Sequence, residues 1–194
     1  QVAAALEPGP IVLHCSGACD LDVLAPHARR GSLHPIMTFP GPEVALPPPG
    51  SPAGVAGSTE AIAVARQLAL DLGWRPFEVH GDRALYHCAA VMAGNFATVL
   101  LHAAAELLVE AGAAPEDAPG LLAPLALSSL RNAAADPVMA LTGPFARGDA
   151  GVIAAHRAAL AARPDPELLA LYDPLALRAA RMGAEQAPRK LQGG

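Results

Sequence analysis

Short apolar runs separated by polar, Gly- and Pro-rich breaks fill the first part of the chain. Ile11-Val-Leu-His-Cys15 reads as a β-strand ended by Ser16-Gly17. Asp20 to Arg30 predicts a brief helix with Asp20 as its N-cap. Gly31-Ser-Leu-His-Pro35 reads as another strand running into a loop, and Pro40 to Gly57, rich in Pro and Gly, as an irregular excursion. Thr59 to Leu72 has helical spacing and is stopped by Gly73. Arg75 to His80 predicts an edge strand, because Pro76 lacks the N–H that a central strand must donate. Strand and helix thus alternate over residues 1–81, as in half of a doubly wound α/β domain.

From Asp82 the period changes to that of helices. One long helix is expected from Asp82 to Gly112, a second over Pro115–Ala134, a third over Asp149–Ala162 capped by Asp149, and a fourth over Pro166–Met182. The fold class is therefore α/β followed by all-α. Residues 82–183 form the helical part and 184–194 a disordered tail. The segment Gln1–Leu6 reads like the last turns of a helix belonging to a longer chain.

At about 100° per residue the long helix sorts into faces. Met92, Phe96, Val99, Leu100, Ala103 and Leu107 lie on one side; His87, Asn95, Thr98, His102 and Glu106 share a strip with Val91. That strip is either an exposed or helix-bonded polar face, or a substrate cleft lined by its N-terminal part, His87 to Asn95. Neutral hydrogen-bonding groups suit a carbonyl or imine. Between two later helices, Thr142, Arg147 and Asp149 interrupt an apolar region. Arg147 would either fork onto a substrate carboxylate or pair with a helix end.

Composition narrows the chemistry. The 194 residues are 53% hydrophobic and 16% charged, which supports a packed core, and a net charge of −5 without a basic block argues against nucleic acid. The only lysine, Lys190, sits in the tail, so Schiff-base and lysine acid/base mechanisms are excluded for the body. Three cysteines and no secretory leader suggest free thiols in the cytoplasm. Cys88 to Ala114 is apolar but carries Asn95, His102, Glu106 and Glu110, which points to a buried helix rather than a membrane span of about 20 apolar residues. His14, Cys15, Cys19, His27 and His34 match no zinc-finger spacing, and no metal is expected. Gly-x-Gly-x-x-Gly, Walker and nucleophile-elbow motifs are absent from these residues.

Five stretches, Leu13–Ala18, Ser32–Phe39, Ala84–Asn95, Arg131–Ala133 and Ala140–Pro144 with Arg147–Asp149, together resemble a family of Rossmann-type bacterial oxidoreductases. In that family the helical C-terminal domain carries an unknown-function label. The family is similar to pyrroline-5-carboxylate reductase and ketopantoate reductase. The resemblance implies an NAD(P)H-dependent reductase of a small carbonyl or imine acid, with residues 1–81 as the second half of the nucleotide domain and the Gly-rich first half missing. It implies His87 as proton donor and Asn95 as the group orienting the substrate. His34, Thr142 and Arg147 would bind substrate, and Ser16, Gly17, His34 and Pro35 the cofactor. Members of the wider group use a lysine one turn before the asparagine; Val91 stands there instead. An inactive binding or regulatory homologue is the alternative. A homodimer through the helical domain is expected, because the long helix has more apolar surface than a small bundle covers.

Overall fold

The computed structural model describes residues 9–39, 41, 43 and 46–192. Gln1–Leu6 lies outside them, as does part of the Pro40–Gly57 stretch. The strands are β1 (Val12–His14), β2 (Arg30–Pro35), β3 (Pro52–Gly57) and β4 (Arg75–Glu78). The helices are α1 (Thr59–Asp71), α2 (Arg83–Ala93), α3 (Asn95–Glu110), α4 (Ala118–Ala135), α5 (Gly143–Arg147), α6 (Ala150–Ala161) and α7 (Glu167–Gln192). The chain divides into two compact units, Gln1–Thr98 and Val99–Gly194.

The first unit is an α/β layer structure of Rossmann-like type. Its sheet runs β1-β2-β3-β4, with β1 parallel to β2, β2 antiparallel to β3 and β3 parallel to β4. β4, with Pro76, is at an edge as expected. Side chains alternate across a strand. Leu33, Ala53 and Val55 therefore face one side, where they form the core with Ala65 and Ala69 of α1 and with Trp74. Ser58 caps α1 through the Ala61 amide at 3.3 Å, and Ala61, Ala65 and Ala69 are fully buried at helical spacing. Ser32, His34 and Gly54 face the other side, and there they meet Arg83 and Tyr86 of α2. Helices on both faces make the layer doubly wound.

Two local expectations are corrected in this unit. Asp20–Arg30 is not a helix but a 3₁₀ turn over Leu21–Leu24, whose N-cap Asp20 makes no side-chain bond; Pro26 removes the next helical N–H. The stretch read as irregular contains β3, an interior strand of the sheet. Its Ala, Gly and single Val carry little strand signal of their own, yet its small side chains let other elements close on it. Gly31 is one of those contacts: a Cβ there would meet the Ala56 carbonyl and the Ala61 methyl at 2.6 and 2.9 Å.

The long helix is divided at Gly94 into α2 and α3, and α2 belongs to the first unit. Arg83–Glu110, 28 residues, is long and apolar enough to cross a membrane by length and composition alone. Only 6% of its most apolar stretch is buried, so the expectation of a buried helix is corrected: among the described residues Leu85, Met92, Phe96 and Val99 stay exposed.

In the second unit α5, α6 and α7 pack on one another. Asp149 caps α6 through the Val152 amide at 3.1 Å, as expected. The proposed tail is instead the last part of α7, which runs to Gln192. Gly183 lies just past Met182, where the fourth helix was expected to end, yet the helix continues through it. The role of this glycine is close approach, since a Cβ there would collide with the Phe145 carbonyl of α5. Beyond it, Gln186 is almost wholly buried and donates to the carbonyls of Met139 and Leu141 at 3.0 and 2.9 Å.

Candidate functional site

The carboxyl ends of β1 and β2 lie side by side because the two strands are parallel. In open α/β sheets this is where ligands bind. β1 delivers His14 and then the Ser16-Gly17 turn; β2 delivers His34 and Pro35. The Ser16 hydroxyl closes the turn by accepting the amides of Ala18 and Cys19 at 3.2 and 3.1 Å.

α2 brings the third side of the site. Asp82 caps it, accepting the amides of Ala84 and Leu85 at 2.7 and 3.2 Å. One residue on, Arg83 donates to the Ser32 hydroxyl at 3.0 Å and to the Ser16 carbonyl. That single guanidinium ties α2 to both strand ends. Tyr86, one turn later, bonds His34 Nδ1 through its hydroxyl at 2.6 Å.

These ties form a cleft of about 360 Å³ within the first unit, lined by His34, His87, Val91 and Asn95 among others. Gly17 completes the convergence. A Cβ at Gly17 would lie 2.5 Å from His34 Cε1, 2.8 Å from His34 Nε2 and 2.9 Å from His87 Cδ2. The turn after β1 must therefore be a glycine for the two imidazoles to approach it.

The electrostatics favour neutral imidazoles. His34 is lowered below the usual histidine value by burial first, then by the Arg83 charge and by His87 and His14. His14 is lowered by burial and Arg83, against a raising hydrogen bond from the Ser16 amide. Burial raises the Tyr86 phenol, with Arg83 opposing. Among the described residues no carboxylate lines the cleft.

Among the sequence-predicted residues, His34, His87 and Asn95 line one cleft, Gly17 lies against the two imidazoles, and Ser16 and Pro35 are adjacent in the chain. His102 and Glu106, further along the strip, instead pair with each other on exposed surface at 3.4 Å. Thr142 and Arg147 lie in the second unit, Thr142 preceding α5 without a capping bond and Arg147 ending it. Among the described residues no group of three His, Cys, Asp or Glu side chains is placed to hold a metal ion. Cys15, Cys19 and Cys88 are free and exposed.

Arg83, Tyr86 and His14 were missed from sequence. One signal was present: a cation in the first turn of a helix opposes the helix dipole by about 0.3–1 kcal/mol, so an arginine there calls for another purpose. Its i, i+3 and i+4 spacing to Tyr86 and His87 also puts the three on one face.

Residues 51–179 match the family described as Domain of unknown function (DUF2520). No curated protein matches the chain. Among solved structures, the Bacteroides fragilis protein BF3122, provisionally named an NADP oxidoreductase, is 27% identical with a TM-score of 0.69. The match covers 87% of this chain but 64% of BF3122, so the chain spans less than two thirds of that protein's length. Protein TM1727 from Thermotoga maritima shares the fold with a TM-score of 0.78 at 23% identity, covering 96% of this chain and 74% of that one.

Proposed function

Because the chain belongs to the Domain of unknown function (DUF2520) family, we propose its chemistry from the cleft itself: an NAD(P)-dependent oxidoreductase acting on a small carbonyl or imine acid, ketopantoate-like or pyrroline-carboxylate-like. The observation that carries the proposal is the approach of His34 and His87 to Gly17, at the carboxyl ends of two parallel strands, with Asn95 lining the same cleft as the two imidazoles. The likeness to BF3122 supports a nicotinamide cofactor.

The fit to such a cofactor is favourable at one end. The space beside Gly17 is filled by the His34 and His87 imidazoles, so these rings are the surface a nicotinamide would meet, and among the described residues no carboxylate lines the cleft beside them. Ser16, Gly17, His34 and Pro35 would face it. When bound, the cofactor supplies the hydride. The Gly-rich turn that cradles a pyrophosphate is not among these residues; in the proposal it belongs to sequence outside this chain.

His87 holds the proton to be delivered to the reduced oxygen or nitrogen, and Asn95, two turns along the same strip, orients the carbonyl or imine. Arg83 and Tyr86 keep α2 at the distance this requires. The proposal uses first-unit residues only; Thr142 and Arg147 have no part in it.

A second reading is favoured by one observation. Val91 lines the cleft one turn before Asn95, where an amine would stand in the reductases the sequence resembles. A protein that binds cofactor without turnover would tolerate an apolar side chain there.

Titration of the longer native protein with NADPH, followed by turnover on small keto and cyclic imino acids, tests both. Under the oxidoreductase proposal the longer form binds NADPH at least about tenfold more tightly than this chain, because of the added pyrophosphate site. His87→Ala then lowers kcat by about 10²–10⁴ with cofactor affinity kept. Binding without turnover supports the second reading, equal affinity in the two forms refutes the division of the nucleotide site, and no NADPH binding by either form refutes the cofactor assignment.

A further inference from the structure

We propose that Tyr86 holds His34 in the neutral tautomer carrying its proton on Nε2, so that the imidazole presents a fixed N–H donor into the cleft, the complement of a carbonyl or carboxylate oxygen.

The contact between Tyr86 Oη and His34 Nδ1 is 2.6 Å. An N–H donor to oxygen sits near about 2.9–3.0 Å, whereas hydroxyl donors come about 0.2 Å closer. That short spacing suits a hydroxyl donor, and the proposal accordingly assigns the phenol as donor and Nδ1 as acceptor. With Nδ1 accepting, the ring proton of a neutral imidazole is on Nε2.

The phenol is held for this role. Its ring meets the His34 ring edge-on, with centroids 5.6 Å apart and planes at 84°. Phe77 lies on it at 6.2 Å. Gly54, opposite His34 in the β2–β3 register, leaves the space the hydroxyl occupies, since a Cβ there would collide with it.

The other edge of the imidazole, Cε1 and Nε2, faces Gly17, where His87 also arrives. His34 lines the cleft, and Tyr86 is not among its lining residues.

The groups facing His34 all act in one direction. Arg83, His14 and His87 disfavour an imidazolium, as does burial. Tyr86 donates to the neutral ring. The carboxylate of Asp82 is turned to its own helix cap, and none faces His34. His34 is thus a hydrogen-bond donor and not a proton donor. It would hold and polarise an oxygen while the proton comes from elsewhere.

The nature of the bound oxygen rests on the oxidoreductase proposal; the tautomer does not, and it can be measured with no ligand. The test is a long-range ¹H–¹⁵N correlation spectrum of the ¹⁵N-histidine-labelled chain, assigned with His34→Gln. The expected result near neutral pH is one His34 species, with Nε2 protonated and Nδ1 bare. In Tyr86→Phe, which keeps the ring packing, both tautomers should appear and the His34 titration midpoint should rise. Wild-type His34 with its proton on Nδ1 overturns the proposal, and so does a Tyr86→Phe spectrum unchanged in tautomer and midpoint. Should that variant fail to fold, the wild-type tautomer alone decides. A confirmed tautomer in a protein that binds no NADPH would sink the cofactor assignment and leave this one standing.

Discussion

At Gly17 one missing methyl decides whether two imidazoles share a cleft. Gly17→Ala would press a Cβ against His34 and His87 at 2.5–2.9 Å, and the rings must swing away. Misplacement of this size at a reacting centre costs about 10²-fold in turnover. Under the proposed reaction we expect that loss of turnover with little change in melting temperature, since the clash is relieved by ring movement. Wild-type kcat/KM in a folded Gly17→Ala protein would separate the imidazole pair from the chemistry.

His14 and His34 also predict how stability follows pH. Both are lowered from the ordinary value of 6.5. Above 6.5 they are neutral in folded and unfolded chains alike, and their contribution is fully present. As the pH falls below 6.5, the unfolded chain takes up protons before the folded one, so stability declines until the lowered folded values are passed. Urea midpoints measured between about pH 7.5 and about pH 5 should fall with acid, and less steeply in His34→Gln. An identical slope in that variant would show that His34 does not contribute.

Among the elements, α7 shows how a helix end is held by another segment rather than by its own propensity. Gly183 lets α7 touch α5, and three residues on, the Gln186 amide satisfies the carbonyls of Met139 and Leu141 just before α5 begins. Gln186→Leu keeps most of the volume and leaves those two carbonyls without a partner, at about 1–3 kcal/mol each. A chemical denaturation series should show a loss of that order, and hydrogen exchange should place the loosening at residues 139–147. A variant as stable as wild type would mean the carbonyls find water instead. α2 depends on the opposite end: Asp82 and Arg83 fix its first turn, and the rest of it stays largely uncovered.

For the whole molecule the open question is what covers the apolar sides of α3 and α4. Val99, Leu100, Leu121, Leu125, Leu127 and Leu130 are all exposed in the isolated chain, apolar surface that water disfavours. A second copy of the chain is the proposed cover, through a symmetric face of the second unit. Light scattering at micromolar concentration should give a dimer mass, and Leu121→Glu with Leu125→Glu should give a monomer. A monomeric wild type would require a different partner for these leucines.

The sequence by itself determined the succession of β1, β2, α1 and β4, the edge position of the Pro76 strand and the helical nature of everything after Asp82. All of that is carried by local periodicity and by Gly and Pro stereochemistry, which act over a few residues. It also supplied His34, His87, Asn95 and Gly17 as individual candidates. Only the tertiary structure decided the rest. β3 is a strand because β2 and β4 satisfy its backbone on both sides, a fact its small side chains do not announce. The last turns of α7 persist because Gln186 finds carbonyls more than 40 positions earlier in the chain. Tyr86 and Arg83 became visible as parts of the site only when their partners, Ser16, Ser32 and His34, came within hydrogen-bond reach across the sheet. Distance along the chain hides such pairs, because the free energy that joins them comes from packing the whole layer and not from either segment alone.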